Sequence, residues 1–180
     1  MSSMKESDLN LILRATAFSA LKHRDQRRKD PAASPYVNHP IALANVLAIE
    51  GGVQDSVTLS AALLHDTLED TDTTSDEIEG EFGARIAAVV VEVTDDKTLM
   101  KADRKRLQIE HASIISREAK LVKLADKICN LRDITSALPK GWSLDRRREY
   151  FDWAKQVIDQ LRGTHAALET LFDAEYEKKP

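Results

Sequence analysis

The stretch Gln54-Asp55-Ser56-Val57-Thr58-Leu59-Ser60-Ala61-Ala62-Leu63-Leu64-His65-Asp66-Thr67-Leu68 is apolar almost all round and carries a His-Asp pair near its end. A helix with apolar residues on every face is stable only when other elements surround it, so this segment is expected in the middle of the domain. The segments on either side read as its packing partners. Upstream, Leu9, Ile12, Leu13, Thr16, Ala17, Ala20 and Leu21 recur at three and four residues behind a Ser7 cap, which predicts an amphipathic helix ending near His23. Lys29 to Pro40 holds three of the prolines and reads as a loop, after which Pro40 fits the first turn of a helix stopped by Gly51 and Gly52. Downstream, Thr74 with Glu77 has the form of a capping box that opens a short helix stopping near Gly83. Ile86 to Thr94 is β-branched, but Ile86, Val89, Val90 and Val93 fall at helical spacing and predict a helix. Further helices are expected over Lys101 to Ile115, Glu118 to Ala137, Ser143 to Arg162 and His165 to Glu175, with Pro139-Lys140-Gly141 and Gly163 as breaks.

A chain of 180 residues with 42% hydrophobic and 31% charged residues fits one soluble domain with one core. Six glycines, five prolines and no Asn-Gly or Asp-Gly turn leave little material for hairpins, so the fold class is all-α. A net charge of −4 gives no global reason to bind nucleic acid or an anionic membrane, so an anionic ligand needs a local basic patch. The apolar runs fall short of the roughly 20 residues that span a bilayer. The N-terminal decapeptide lacks an apolar targeting segment, and the single Cys129 excludes an internal disulfide and a cysteine zinc site. A cytoplasmic protein is the expectation; the sequence says nothing of oligomeric state.

Three places on this frame can carry chemistry. A lone His-Asp pair is ordinarily a histidine held by a carboxylate near a helix end. Here His39 precedes Pro40 at the rim of the proline-rich loop, and Asp126 interrupts the apolar face formed by Val122, Ala125 and Cys129. A carboxylate on a packed face needs a strong partner, and a divalent cation supplies one where no arginine is evident. His39, His65, Asp66 and Asp126 make a two-nitrogen, two-oxygen set suited to one Mn²⁺, Fe²⁺, Co²⁺ or Zn²⁺ ion. His23, His111 and His165 read as surface or internally satisfied residues. Glu69 and Asp70, one turn on, can orient or deprotonate a water, or remain part of a solvated acidic loop with Asp72 and Asp76. Lys22, Arg24, Arg27, Arg28 and Lys29 form a basic run, usually a solvated face but here a phosphate-binding candidate because arginine forks match phosphate oxygens. Trp142, Arg146 and Tyr150, spaced by four, either stack a base and hold a phosphate or pack against a neighbouring helix, and spacing alone leaves both readings open.

The ordered set His39, His65-Asp66, Glu69-Asp70, Asp126 resembles the HD superfamily of metal-dependent phosphohydrolases. Longer phrases narrow the likeness: Lys22-His23-Arg24, Arg27-Arg28-Lys29-Asp30-Pro31, Pro35-Tyr36-Val37-Asn38-His39-Pro40, Ala61 through Thr71, and Val122-Lys123-Leu124-Ala125-Asp126-Lys127 are similar to the hydrolase domain of the Rel/SpoT alarmone enzymes. The match to the small stand-alone hydrolases of the metazoan SpoT homolog type runs from about Ala15 through Gly163 and takes in Thr94-Asp95-Asp96-Lys97-Thr98 and Gly141-Trp142-Ser143. The resemblance implies a single-domain HD-type helical bundle over residues 1–180, with a core from about 7 to 175. It also implies Mn²⁺-dependent removal of the 3′-pyrophosphate from (p)ppGpp to give GDP or GTP. It assigns His39, His65, Asp66 and Asp126 to the metal, Glu69 and Asp70 to the attacking water, and Arg28, Lys29, Asn130, Trp142, Arg146 and Tyr150 to the nucleotide. The alternatives are another ribose phosphate ester such as NADPH as substrate, and a catalytically idle module that senses nucleotides. Retention of both Glu69 and Asp70 weighs against the idle module.

Overall fold

The computed structural model describes residues 6–136 and 141–180. Among them are ten α-helices: α1 (Glu6–Lys22), α2 (Asn38–Asn45), α3 (Ser56–Leu64), α4 (Thr67–Asp70), α5 (Ser75–Phe82), α6 (Ala84–Val93), α7 (Lys101–His111), α8 (Arg117–Ser136), α9 (Leu144–Asp159) and α10 (Ala166–Tyr176). A π-helical turn, Val46–Glu50, continues α2. The described residues contain no strand, only a single antiparallel bridge between Arg27 and Pro35. The chain is a single all-α HD-type bundle.

Its core is built on two helices. In α3, every residue from Thr58 to Leu64 is buried, as expected for a segment without a polar face. It packs against α1, α2, α6 and α8. Asp55 caps it, accepting from the Thr58 amide at 2.8 Å. The second, α8, buries Leu121, Val122, Leu124, Ala125, Ile128, Leu131 and Ile134, and touches α2, α3, α6, α9 and α10. Each of these leucines and isoleucines contributes about 1.5–3 kcal/mol by leaving water. Against that gain, α8 also buries Lys123 and Lys127 and holds Asp126, so this helix accepts a desolvation cost that packing alone would not select.

Several boundaries differ from expectation. The predicted helix over 54–68 breaks at His65-Asp66: Asp66 sits at φ −96°, ψ −4°, and the Thr67 hydroxyl donates to the Leu64 carbonyl at 2.6 Å, after which α4 begins. Periodicity does not reveal the break because Thr67 is buried like the residues before it. Helix α2 opens at Asn38, so His39 lies in its first turn rather than on the loop rim, and Pro40 is tolerated because its absent N–H would have no intrahelical acceptor there. Ser7 lies within α1 rather than capping it, and the buried stripe of α1 is Ala15 and Ser19, with Leu11, Ile12 and Phe18 partly buried; Leu9, Leu13 and Leu21 are exposed. Helix α7 stops at His111, short of Ile115. Trp142 precedes α9, whose cap is Ser143, so it is not on the helix with Arg146 and Tyr150. Ala137 and Pro139-Lys140 lie outside the described residues. The helical reading of Ile86 to Thr94 holds, with α6 burying Ile86, Ala87, Val89 and Val90. Thr74 accepts from the Glu77 amide at 3.2 Å, while the Glu77 carboxylate pairs with Lys22.

Candidate metal centre and adjoining cavity

Three elements converge on one point. The first turn of α2 brings His39, the end of α3 brings His65, and the middle of α8 brings Asp126; their ligand atoms all lie within 4.8 Å of one another. His39 Nε2 is 3.3 Å from Asp126 Oδ1, and the two imidazole centroids are 5.3 Å apart. Asp66 stands at the edge of this group, with Oδ2 3.0 Å from His65 Nε2. His65 Nδ1 is 2.8 Å from the Ala62 carbonyl, which makes Nδ1 a donor and turns Nε2 inward, the arrangement usual for a metal-ligating imidazole. The donor set, two imidazole nitrogens and two carboxylates in a buried site, fits a divalent transition metal.

The electrostatics are tightly coupled. Burial disfavours the charged form of His65, yet the carboxylates of Asp66 and Asp126 outweigh it and push its pKa up to about 9. Burial likewise opposes ionisation of Asp126, but Lys127 and the two imidazoles hold it well below the usual carboxylate range. Lys127 was not recognised from the sequence as a partner for Asp126. Its Nζ donates to Asp126 Oδ2 at 2.8 Å and sits 4.5 Å from the Trp153 ring centroid, so the next residue on the helix supplies a cation beside Asp126. Asn130, expected at the nucleotide, donates from Nδ2 to Asp126 Oδ1 at 2.6 Å while also lining the large cavity described below.

Glu69 and Asp70 both belong to α4, but they face different spaces. Glu69 shares a cleft of about 60 Å³ with His65, Asp66 and Asp126. Its Oε2 accepts from the Asp95 amide at 3.3 Å, and Arg104 Nη1 lies 3.7 Å from Oε1. Burial raises its pKa, reinforced by the charges of Asp95, Asp66 and Asp70. Lys123, on the wall of the same cleft, donates to the Val93 carbonyl at 3.4 Å, and burial lowers its pKa to about 8. Asp70 faces a cavity of about 560 Å³ lined by Arg28, Lys29, Asn130, Trp142 and Tyr150 among others. Its carboxylate pairs with Lys97 and accepts from the Tyr36 hydroxyl at 3.2 Å.

The basic run divides. Lys22 pairs with Asp72 and Glu77, and Arg24 with Asp25, whereas Arg27, Arg28 and Lys29 line the large cavity. Arg28 forms an ion pair with Asp133 and lies 5.6 Å from the Tyr36 ring centroid. A smaller cavity of about 270 Å³ adjoins this one and shares Lys29, Trp142 and Tyr150 with it; Lys101, Arg104, Lys105 and Arg146 also line it. The rings of Trp142 and Tyr150 are 5.8 Å apart, and the Arg146 guanidinium covers Trp142 at 4.2 Å. Of the other histidines, His165 caps α10 and His23 is buried with Nδ1 2.7 Å from Gln26 Oε1. Tyr36, Lys97, Lys123 and Lys127 all lie inside the sequence phrases that carried the resemblance, yet nothing in residue type or spacing singled them out; Arg104 lies outside those phrases.

The HD domain family matches residues 15–152. The chain belongs to this family. As an HD domain it carries its His65-Asp66 pair where α3 gives way to α4. Over 167 residues it is 57% identical to the guanosine-3′,5′-bis(diphosphate) 3′-pyrophosphohydrolase MESH1 of Xenopus tropicalis, covering 93% of each chain. To the enzyme of the same name from Homo sapiens it is 58% identical over 163 residues, covering 91% of each. It superposes with a TM-score of 0.92 on a solved structure of a metazoan ortholog of SpoT described as hydrolysing ppGpp and playing a role in starvation responses, at 47% identity and 98% coverage of both chains.

Proposed function

We propose that this HD domain is a Mn²⁺-dependent guanosine-3′,5′-bis(diphosphate) 3′-pyrophosphohydrolase, converting (p)ppGpp to GDP or GTP and pyrophosphate. The observation that carries the reading is the junction of two unlike sites: a buried His39, His65, Asp126 cluster with Asp66 at its edge, next to a cavity walled by Arg28, Lys29, Trp142 and Tyr150. The relatives named above support the substrate. His39, His65, Asp66 and Asp126 would hold the cation. When bound, it lowers the pKa of water and draws charge from the scissile phosphate.

The rest is done by the chain. In the reaction, water adds to the phosphorus attached to the 3′ oxygen, the P–O3′ bond breaks, and the 3′ oxygen takes up a proton. Glu69, whose pKa burial and the neighbouring carboxylates raise, and Asp70, at the cavity edge, would accept the proton of the water and return one to the leaving oxygen. Arg28 and Lys29 neutralise the pyrophosphate, Arg146 a second phosphate group, and Trp142 with Tyr150 flank the base. The same reading takes residues 1–180 as one catalytic domain acting in the cytoplasm on a small guanine nucleotide, without nucleic acid or membrane as partner. No helix among the described residues is long and apolar enough to cross a membrane. Incubating purified protein and Mn²⁺ with ppGpp, pppGpp, NADPH and simple nucleotides tests the assignment. Pyrophosphate released from the guanosine substrates supports it. Orthophosphate released from NADPH alone would move the assignment to another ribose phosphate ester.

A further inference from the structure

We propose that Tyr36 is a positioning residue for this hydrolysis, its phenol hydroxyl holding the metal-site carboxylate Asp66 and the cavity carboxylate Asp70 in one frame. The inference rests on the metal-dependent reading above and adds a residue to it. The hydroxyl lies 2.5 Å from Asp66 Oδ2 and 3.2 Å from Asp70 Oδ2, and among the described residues no other side chain hydrogen-bonds to both. Because a phenol has one proton, it donates fully to one carboxylate and weakly to the other, which fits the short and the long distance.

The ring is fixed from several sides. The Tyr36 amide donates to the Gln26 carbonyl at 3.1 Å, and its own carbonyl accepts at 2.9 Å from the amide of His39, itself a proposed metal ligand. The ring lies against His23, centroids 4.8 Å apart, and His23 in turn contacts Gln26, whose amide donates to the Asp70 carbonyl at 2.5 Å. The loop between α1 and α2 is thus fastened to α4 at both the backbone and the carboxylate of Asp70, and the phenol extends that fastening to Asp66. Such hydrogen bonds around metal ligands are worth roughly ten- to hundredfold in metal affinity or activity.

Tyr36→Phe separates this role from packing. The variant keeps the ring against His23, and each carboxylate keeps another partner, Asp66 with His65 and Asp70 with Lys97, so no buried charge is stranded. Two measurements are made on wild type and variant. Calorimetric titration with Mn²⁺ needs no substrate and should show unchanged stoichiometry with affinity weakened roughly tenfold. Steady-state kinetics on ppGpp should show kcat reduced roughly tenfold or more with KM within about twofold, the pattern of a group that acts on the reaction rather than on binding. In an Asp70→Asn background, the same substitution should cost clearly less, since part of its action passes through Asp70. Wild-type kcat and Mn²⁺ affinity in Tyr36→Phe, a rise in KM alone, or equal losses in both backgrounds would each overturn the proposal. Failure of the wild-type protein to release pyrophosphate would instead overturn the substrate reading, and the titration would still decide the role of Tyr36 toward the metal site.

Discussion

At the scale of single residues, the two kinds of carboxylate separate experimentally. His65→Ala and Asp126→Ala each remove one of the four proposed ligands and should abolish both Mn²⁺ retention and turnover. Metal content by atomic emission after desalting checks this, and a stoichiometric ion in either variant would remove that residue from the site. Glu69→Gln and Asp70→Asn should retain metal and nucleotide while losing most turnover, because the proposed role of both is on the water rather than on the ion. The His65 proton gives a pH signature in the metal-free protein. Its folded pKa of about 9 exceeds the ordinary value of 6.5. The folded state therefore holds a proton that the unfolded state releases, so this stabilisation is fully present below about pH 6.5 and is lost as pH rises through 9. Thermal melts of the chelated protein across that range should show the fall, and His65→Gln should flatten it. Mn²⁺ affinity should rise over the same interval, since the ion must displace that proton. The meeting of His39, His65 and Asp126, with Asp66 and Glu69 beside them, was legible in the sequence because histidines and carboxylates beside apolar runs are conspicuous. Tyr36 and Lys127 were not, because a tyrosine in a loop and a lysine beside an aspartate look the same whether they are buried or solvated.

At the scale of elements, the helices were legible where periodicity and stop signals agreed, as in α6 and at the end of α5, where Gly83 takes φ +89°. They were misread where a local polar contact ended a helix within a continuing apolar pattern, as at His65-Asp66. Gly51, expected only as a stop, also marks a close approach: a Cβ there would lie 2.8 Å from Leu168 Cδ2 of α10 and 2.9 Å from the Leu47 carbonyl oxygen. Gly51→Ala should cost roughly 1–3 kcal/mol, since the carbonyl cannot withdraw, and a thermal melt several degrees lower, with kcat of the folded protein unchanged, is the expected result. The start of α9 carries the nucleotide prediction. Trp142→Ala, Tyr150→Ala and Arg146→Ala should raise KM more than they lower kcat; the aromatic losses should be similar for every purine substrate, and the Arg146 loss should depend on the phosphate chain and on salt. Unchanged KM in all three folded variants would return these side chains to a packing role.

At the scale of the whole molecule, the bundle follows from α3, buried from Thr58 to Leu64, and α8, which buries one face from Ala119 to Ile134 and carries the partly buried Asp126 beside the buried Lys127. The all-α class was legible from composition and from the surrounded helix at 54–68. The division of the candidate site into a small cleft and two adjoining cavities was not, because it depends on where α4 and the loop before α2 come together in space. The central claim is that the buried His39, His65, Asp66 and Asp126 site drives hydrolysis in the cavity beside it. The most direct measurement is pyrophosphate release from ppGpp by chelator-treated protein titrated with Mn²⁺. Activity that is absent without metal and rises to saturation at one equivalent per chain is the predicted result. Turnover that survives chelation, or that fails to appear at any Mn²⁺ concentration, would contradict it.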